Sequence, residues 1–321
     1  MQRSLTSSQV KIICSRFGIN LVNFTSLEKT GVNSNFLYLI NGKYVLKPIF
    51  KTNIDSLIKF NIFKSRNSFL YAYVPKVFFS KCNNSFLVGC RDYNFELQEF
   101  VKGGSIDLKH KDSTKNITLL ASCLYKIHDE FKFSEIVQKS LNNEVSYEDM
   151  FSQKRLKELN KACKVIIKKE PNLKDKLLAY KEKALKVNSS INKNILNIDK
   201  SQLVNTLIHR DINKGNVLFK KDSYKIIDWE NAAYGFYLQD IAYIFSHFLT
   251  NKNHQSIFLK SYPLNPSQLN IVYILVEGLR FRSSRWAFGR YMYFLQNDKE
   301  SLKDFRRIFV KSVDEFLIQP T

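Results

Sequence analysis

Three oxygen-bearing side chains stand at the ends of two short apolar runs. Asp211 and Asn216 lie in IHRDINKGNVLF (Ile208–Phe219), and Asp228 lies in KIIDWENA (Lys225–Ala232). If the runs form a hairpin-like unit, Asp211 falls just past one strand, Asn216 a turn later, and Asp228 at the end of the partner strand. Their side chains can then converge. Asn216 and Asp228 are hard oxygen ligands of the kind that Mg²⁺ takes one or two at a time, keeping water and phosphate oxygens in its shell. Asp211, close by but pointing elsewhere, can orient a hydroxyl and accept its proton. A third need of phosphoryl transfer is a cation on the phosphates, and Lys47 in YVLK is the candidate. The turn-like segment before it, KTGVNSNF, includes Asn33 and Ser34 and can cover phosphate oxygens with backbone N–H groups. Further on, NFELQEFVKGG offers exposed backbone at Glu99, Phe100 and Val101 for the edge of an adenine.

These residues need elements to hold them. The periodicity predicts a helix over 8–17, capped by Ser7 or Ser8 and ended by Gly18. NFLYLI and KYVLKPIF flank Asn41-Gly42, a pair suited to a type I′ hairpin turn. Residues 54–66 read as a helix. KVFFS and SFLVGC, joined across Asn83-Asn84, suggest a second hairpin, and Gly103-Gly104 break the strand that follows. Beyond this joint the spacing is helical over 114–128, across the Lys-rich stretch 150–190, and over most of 236–318, interrupted only by the two acidic strands. The outline is a small β-rich lobe and a larger helical one.

Taken one at a time, these residues have plainer readings. An Asp at a strand end often bonds its own backbone, and Lys47 alone is an ordinary strand lysine. Their order along the chain is harder to meet by chance: loop, strand lysine, linking strand, HxDxxxxN, strand aspartate. In this order the chain resembles the aminoglycoside phosphotransferase and choline kinase superfamily of kinase-like enzymes. IHRDINKGNVLF is similar to that superfamily's HxDxxxxN segment and IIDWENA to its metal-binding IDxE segment. YLQDIAYIF is similar to the helix that follows, and LASCLYKIHD to a small-residue helix ending in leucine-histidine. The likeness runs over nearly the whole chain and is thinnest over 130–200. GVNSNFLYLINGKYVL and LRFRSSRW further resemble the type II homoserine kinase and spore-coat kinase-like branch.

The resemblance implies an α+β, bilobal protein-kinase-like fold. A small antiparallel, nucleotide-binding lobe would span 1–101, including the linking strand. A larger, mainly helical lobe over 102–321 would carry the catalytic loop and the acceptor site. It implies Asp211 as the catalytic aspartate and His209 as a brace of its loop. Asn216 and Asp228 would hold Mg²⁺, with Glu230 as a further group nearby. Lys47 would contact the phosphates of ATP, or alternatively GTP, and Gln98, Glu99, Phe100 and Val101 would line the adenine pocket. Asp240 would order the catalytic loop. DWE stands where protein kinases have DFG, and no APE segment occurs, which disfavours a protein kinase. Residues 53–66 contain no Glu to pair with Lys47; Asp55 is the only acid there. A non-catalytic, kinase-like scaffold is therefore the competing reading.

The formal net charge is +21. It is spread along the chain rather than gathered in a tail, so a nucleic-acid partner is not expected, and steering of a polycationic acceptor is disfavoured. The Lys-rich stretch 154–186 reads as a solvated helical face. Arg280, Arg282 and Arg285 sit in an apolar helix, where salt bridging competes with recognition of an anionic substrate group. Five cysteines with no CxxC spacing argue against zinc or a disulfide framework and for a cytoplasmic protein. No apolar run is long enough to span a bilayer. The partners expected are a nucleotide and a small molecule bearing a hydroxyl; oligomeric state is not legible.

Overall fold

Thr6, rather than Ser7 or Ser8, starts the first helix. It alone of the three has a Gln three residues on. The Gln9 N–H donates to Thr6 Oγ1 while the Thr6 N–H donates to Gln9 Oε1, a reciprocal cap. The computed structural model describes residues 5–27, 37–49, 54–82, 84–90, 93–141, 153–220, 223–297 and 302–318. Helix α1 (Ser7–Arg16) ends before Gly18, whose φ of +74° suits glycine. Strands β1 (Phe24–Ser26), β2 (Tyr38–Ile40) and β3 (Tyr44–Ile49) follow. At the β2–β3 tip, Asn41 and Gly42 have φ of 52° and 66°, and the Lys43 N–H donates to the Ile40 carbonyl at 3.0 Å. This is the type I′ geometry expected of Asn-Gly.

Helix α2 (Ile54–Ser65) leads to β4 (Leu87–Cys90) and β5 (Tyr93–Glu99). The sheet runs β1-β2-β3-β5-β4 with antiparallel pairs throughout. Its register sets Lys47 of β3 directly across from Glu96 of β5. The expected hairpin between KVFFS and SFLVGC is replaced by another arrangement. The edge of β5 is shared: β4 pairs with its first half, Tyr93 to Glu96. The segment 76–78 binds its second half, through a Val77–Gln98 bridge and through Phe78 N–H to Leu97 O and Glu99 N–H to Lys76 O. Apart from the Ser80 N–H to Ser85 carbonyl bond at 2.7 Å that closes the loop between them, the two segments pair along β5 rather than with each other. Asn83 lies outside the described residues.

At the Gly103-Gly104 joint the chain makes a close crossing. A Cβ on Gly103 would come within 2.7 Å of the Phe219 carbonyl oxygen, so glycine is required there. Strand β6 (Gly104–Ser105) follows, then α3 (Ser113–Glu130) and α4 (Glu135–Leu141). After β7 (Asn205–Ile208) come β8 (Val217–Lys220), β9 (Ser223–Ile226) and β10 (Ala233–Phe236). Strand β8 pairs with both β6 and β9, and β10 pairs with β7.

The chain divides into two compact units. The first comprises Met1–Asn143, Asn205–Tyr234 and Ser256–Tyr262. It holds the five-stranded sheet, α1 to α4, and β7 to β9. Its sheet core packs Val10, Ile13 and Cys14 of α1 against Tyr38, Ile40, Leu46, Phe95 and Leu97.

The second unit comprises Glu144–Val204, Gly235–Gln255 and Pro263–Thr321. It is built from α5 (Gln153–Lys169), α6 (Lys174–Leu196), α7 (Leu238–His247), the start of α8 (Lys252–Ser261), α9 (Pro266–Asn297) and α10 (Leu302–Ile318). Leu156, Leu159, Cys163 and Ile166 bury one face of α5, while Lys157, Lys161, Lys164 and Lys168 face solvent, as the spacing predicts. The core is aromatic: Tyr180, Phe288, Tyr291, Phe309 and Phe316 are all buried. Tyr180 Oη and Ser284 Oγ lie 2.6 Å apart and satisfy one another, and burial pushes the Tyr180 phenol pKa up. The fold as a whole is α+β, with a small antiparallel sheet and more helix than strand. Among the described residues, no helix is long and apolar enough to cross a membrane.

Candidate active site

The loop after β7 is built around His209, which is fully buried. Its Nδ1 accepts the Asp211 N–H at 3.1 Å, so the ring proton sits on Nε2, 2.9 Å from the Ile227 carbonyl. One imidazole thereby ties the Asp211 backbone to the end of β9. Arg210 between them takes φ +70°, a left-handed conformation that a non-glycine residue adopts only under constraint. The Asp211 carboxylate accepts Asn213 Nδ2 on one oxygen at 3.0 Å and Asn216 Nδ2 on the other at 3.2 Å. Asn216 Nδ2 also donates to the Asp211 carbonyl at 2.9 Å. With the amide nitrogen committed, Asn216 Oδ1 is the atom left for a cation. The Ile227 N–H donates to the Asn216 carbonyl at 2.8 Å, holding Asn216 beside the residue that precedes Asp228. Asp228 itself is left-handed, with φ 70° and ψ 48°.

Lys47 meets this loop from β3. Its ammonium is hydrogen-bonded to Asp228 Oδ1 and lies 3.6 Å from Glu230 Oε1. Burial alone would lower its pKa, but Asp228 and then Glu230 outweigh that, so it stays charged well above the ordinary lysine range. Glu230 moves up, because burial costs its charged form more than Lys47 returns. Asp55, the one acid of α2, is exposed at the start of that helix. The cleft-facing residues of α2 are Leu57, Phe60, Asn61 and Lys64, which line a small cavity with Lys47, Glu96, Asp228 and Glu230. Trp229 of the DWE segment stacks on Phe60, with ring centroids 5.3 Å apart and planes 6° apart. It also sets its face or edge against His209 at 4.6 Å and 69°. This packing joins α2 to the loop after β7, and each aromatic pair is worth about 0.5–1.5 kcal/mol beyond area burial.

A larger cleft adjoins, open to solvent and with a cavity volume of about 270 Å³, close to the lower end of the range for small-molecule sites. Leu27, Leu37, Val45, Leu218 and Ile227 line it with apolar surface, and Gln98, Glu99, Phe100 and Val101 form another part of its wall. The Glu99 carboxylate is committed to the Lys76 N–H and to Lys225 Nζ, and the Phe100 N–H donates to the Lys43 carbonyl. The Val101 N–H has no protein partner among the described residues and can serve a ligand. Asn33 and Ser34, expected over the phosphates, lie outside the described residues.

The donor set fits a magnesium ion held together with phosphate and water oxygens. It offers one carboxylate, Asp228, and one amide oxygen, Asn216 Oδ1, both hard ligands. Among the described residues, no group of three or more His, Cys, Asp or Glu is placed to hold a metal ion. In the second unit, Asp240 is fully buried near the start of α7. Burial lowers the Arg280 pKa against an opposing pull from Glu277.

A family model described as the phosphotransferase enzyme family matches residues 65–257. The chain belongs to that family. No curated protein matches the sequence significantly. Solved structures with similar folds include the spectinomycin phosphotransferase APH(9)-Ia bound to AMP. It is 15% identical, covers 99% of this chain and 100% of its own, and has a TM-score of 0.70. The gentamicin complex of APH(2")-IIa is 19% identical, with 100% and 98% covered and a TM-score of 0.63. Choline kinase LicA from Streptococcus pneumoniae is 16% identical, with 96% and 100% covered and a TM-score of 0.59. The fold is thus kinase-like, with a small antiparallel sheet and more helix than strand.

Within this phosphotransferase, the residues that sequence reading missed are Glu96, Asn61 and Lys64. All three are buried. Two signals were present: an acid at an inward alternate position of NFELQEF, and Asn and Lys on the apolar stripe of α2. Neither stands out until β3 and β5 are known to be neighbours.

Proposed function

We propose that the protein is a small-molecule kinase. It would move the γ-phosphoryl group of ATP, with GTP as the alternative donor, to a hydroxyl of a small metabolite such as an amino alcohol or a sugar. The observation that carries this reading is the Lys47–Asp228 pair beside an apolar cleft whose wall presents the Val101 N–H, unpartnered among the described residues. The apolar lining suits a purine base, and the backbone from Glu99 to Val101 suits its edge. We assign nucleotide binding to 1–101 and the acceptor to 102–321.

Asp211, its carboxylate oriented by Asn213 and Asn216, would align the acceptor hydroxyl and take its proton. His209 would hold that loop in register with β9. Lys47 would offset charge on the phosphates. Asn216 and Asp228 would hold Mg²⁺, which supplies charge neutralisation on the transferred group. Most of the catalytic advantage would then come from positioning and fixed charge. Structures of similar fold solved with AMP, with ADP and spectinomycin, and with gentamicin support a nucleotide and a small-molecule acceptor. A net charge of +21 argues for an acceptor that is not a polycation. Five free cysteines suit a reducing cytoplasm.

The scaffold reading draws on the missing acid of α2. Three other carboxylates, those of Asp228, Glu230 and Glu96, act on Lys47, which favours catalysis. The test is purified protein with Mg-ATP and a panel of small hydroxyl compounds. A phosphorylated product that disappears in Asp211→Ala is expected; nucleotide binding without product across a broad panel would favour the scaffold.

A further inference from the structure

Lys47 has carboxylates on two sides. Asp228 and Glu230 belong to the candidate metal site and approach from the loop after β9. Glu96 approaches from within the sheet, as the cross-strand partner of Lys47 on β5, and its charge acts on Lys47. It is 4% exposed, and a carboxylate that deep is held only if it is paired. The pairing comes from α2. Asn61 Nδ2 donates to Glu96 Oε2 at 2.5 Å. Lys64, one turn further along the same stripe and 3% exposed, adds a favourable charge interaction with Glu96. Helix and strand have therefore divided the work in an unexpected way: the strand carries the acid, and the helix carries the amide and the cation that fix it.

We propose that Glu96, anchored by Asn61 and Lys64, is the carboxylate that positions Lys47 for the nucleotide phosphates. The inference rests on the nucleotide reading above. A divalent cation on Asp228 would draw on the negative charge that Asp228 lends to Lys47, even though its two oxygens can bind one each. Glu96 contributes no ligand to the candidate metal site and remains beside Lys47 whether or not Asp228 is engaged. Glu96 is a positioning residue here, acting through Lys47.

The exchange of an amide for a carboxylate is nearly isosteric, which gives a clean test. In Glu96→Gln the contact with Asn61 can persist as an amide–amide hydrogen bond while the charge is lost. In Asn61→Asp/Glu96→Gln the hydrogen bond is reversed and the charge is moved to α2. Affinities for Mg-ATP and for adenosine are measured by calorimetry on the full chain. Glu96→Gln is expected to weaken Mg-ATP about tenfold, equivalent to about 1.4 kcal/mol, with adenosine within about twofold. The double variant is expected to recover most of the loss. If Glu96→Gln does not fold, Asn61→Ala decides, with a loss of about threefold on Mg-ATP alone. Three results overturn the proposal: Glu96→Gln that binds Mg-ATP as the parent does, equal losses for adenosine, or no recovery in the double variant. A parent that binds neither Mg-ATP nor Mg-GTP overturns the nucleotide reading itself and this inference with it.

Discussion

The cleft face of β3, β5 and α2 and the aromatic core of the second unit are both buried, and they are built on opposite terms. In the cleft, Lys64, Glu96 and Asn61 are buried and Lys47 is half-buried beside them, each compensated by a partner or a nearby charge. In the second unit, Tyr180, Phe288, Tyr291 and Phe309 pack ring against ring, and the phenol of Tyr180 is met by Ser284. Apolar packing of that second kind stabilises a fold at little risk. Buried charge stabilises poorly, because desolvation takes back most of the Coulombic gain. Its concentration on one face of one unit marks where charge has been kept for chemistry.

Substitutions should split along the same line. The largest effect is expected for Asp228→Ala, which removes a candidate magnesium ligand and the hydrogen-bonded partner of Lys47. Phosphotransfer should fall by about a thousandfold, roughly 4 kcal/mol of transition-state stabilisation. Urea denaturation should move little, since Glu230 and Glu96 still flank Lys47. Activity within tenfold of the parent would remove Asp228 from the reaction. Phe309→Ala should do the reverse. Phe309 is 1% exposed, stacked on Tyr291 at 4.6 Å and set edge-on to Phe288 at 4.7 Å. Truncation should cost about 3–5 kcal/mol of stability and leave the Mg-ATP affinity of the folded protein unchanged. A Phe309→Ala protein that keeps its stability but loses nucleotide would dissolve the contrast.

The contrast also explains what could be read without coordinates. Local features were legible: the Asn41-Gly42 turn, the amphipathic stripe of α5, and the spacing that sets Asp211 and Asn216 on one loop. Each depends on residues a few positions apart. The Lys47–Glu96 register was not legible, because it depends on a strand from far along the chain lying next to β3. The edge of β5 was misread for the same reason. KVFFS and SFLVGC each have the pattern of a strand, and only the sheet shows that, beyond one Ser80–Ser85 backbone bond, both pair along β5 rather than with each other. Asp55 is the only acid that residues 53–66 offer to Lys47. Its place at the first turn leaves it exposed, while the cleft-facing positions went to Asn61 and Lys64.

Lys64 gives the smallest effect and the finest measure of the difference between the two regions. Burial drives its pKa from the ordinary 10.5 down to about 8; Glu96 resists that shift, and Lys225, Lys47 and Glu99 act more weakly, the two lysines downward and Glu99 upward. Because the folded-state pKa is the lower one, the unfolded chain holds more protons between pH 8 and 10.5, so stability must rise as pH climbs through that window. The charged ammonium is then a burden of up to about 3 kcal/mol below pH 8, relieved toward pH 10.5. Lys64→Met removes the burden at every pH. The stability of the parent relative to this variant, measured by urea denaturation, should therefore improve by about 2 kcal/mol between pH 7.5 and pH 9.5. Curves that stay parallel would mean that water reaches the ammonium. The cleft would then be a solvated groove, and its buried charge would say nothing about chemistry.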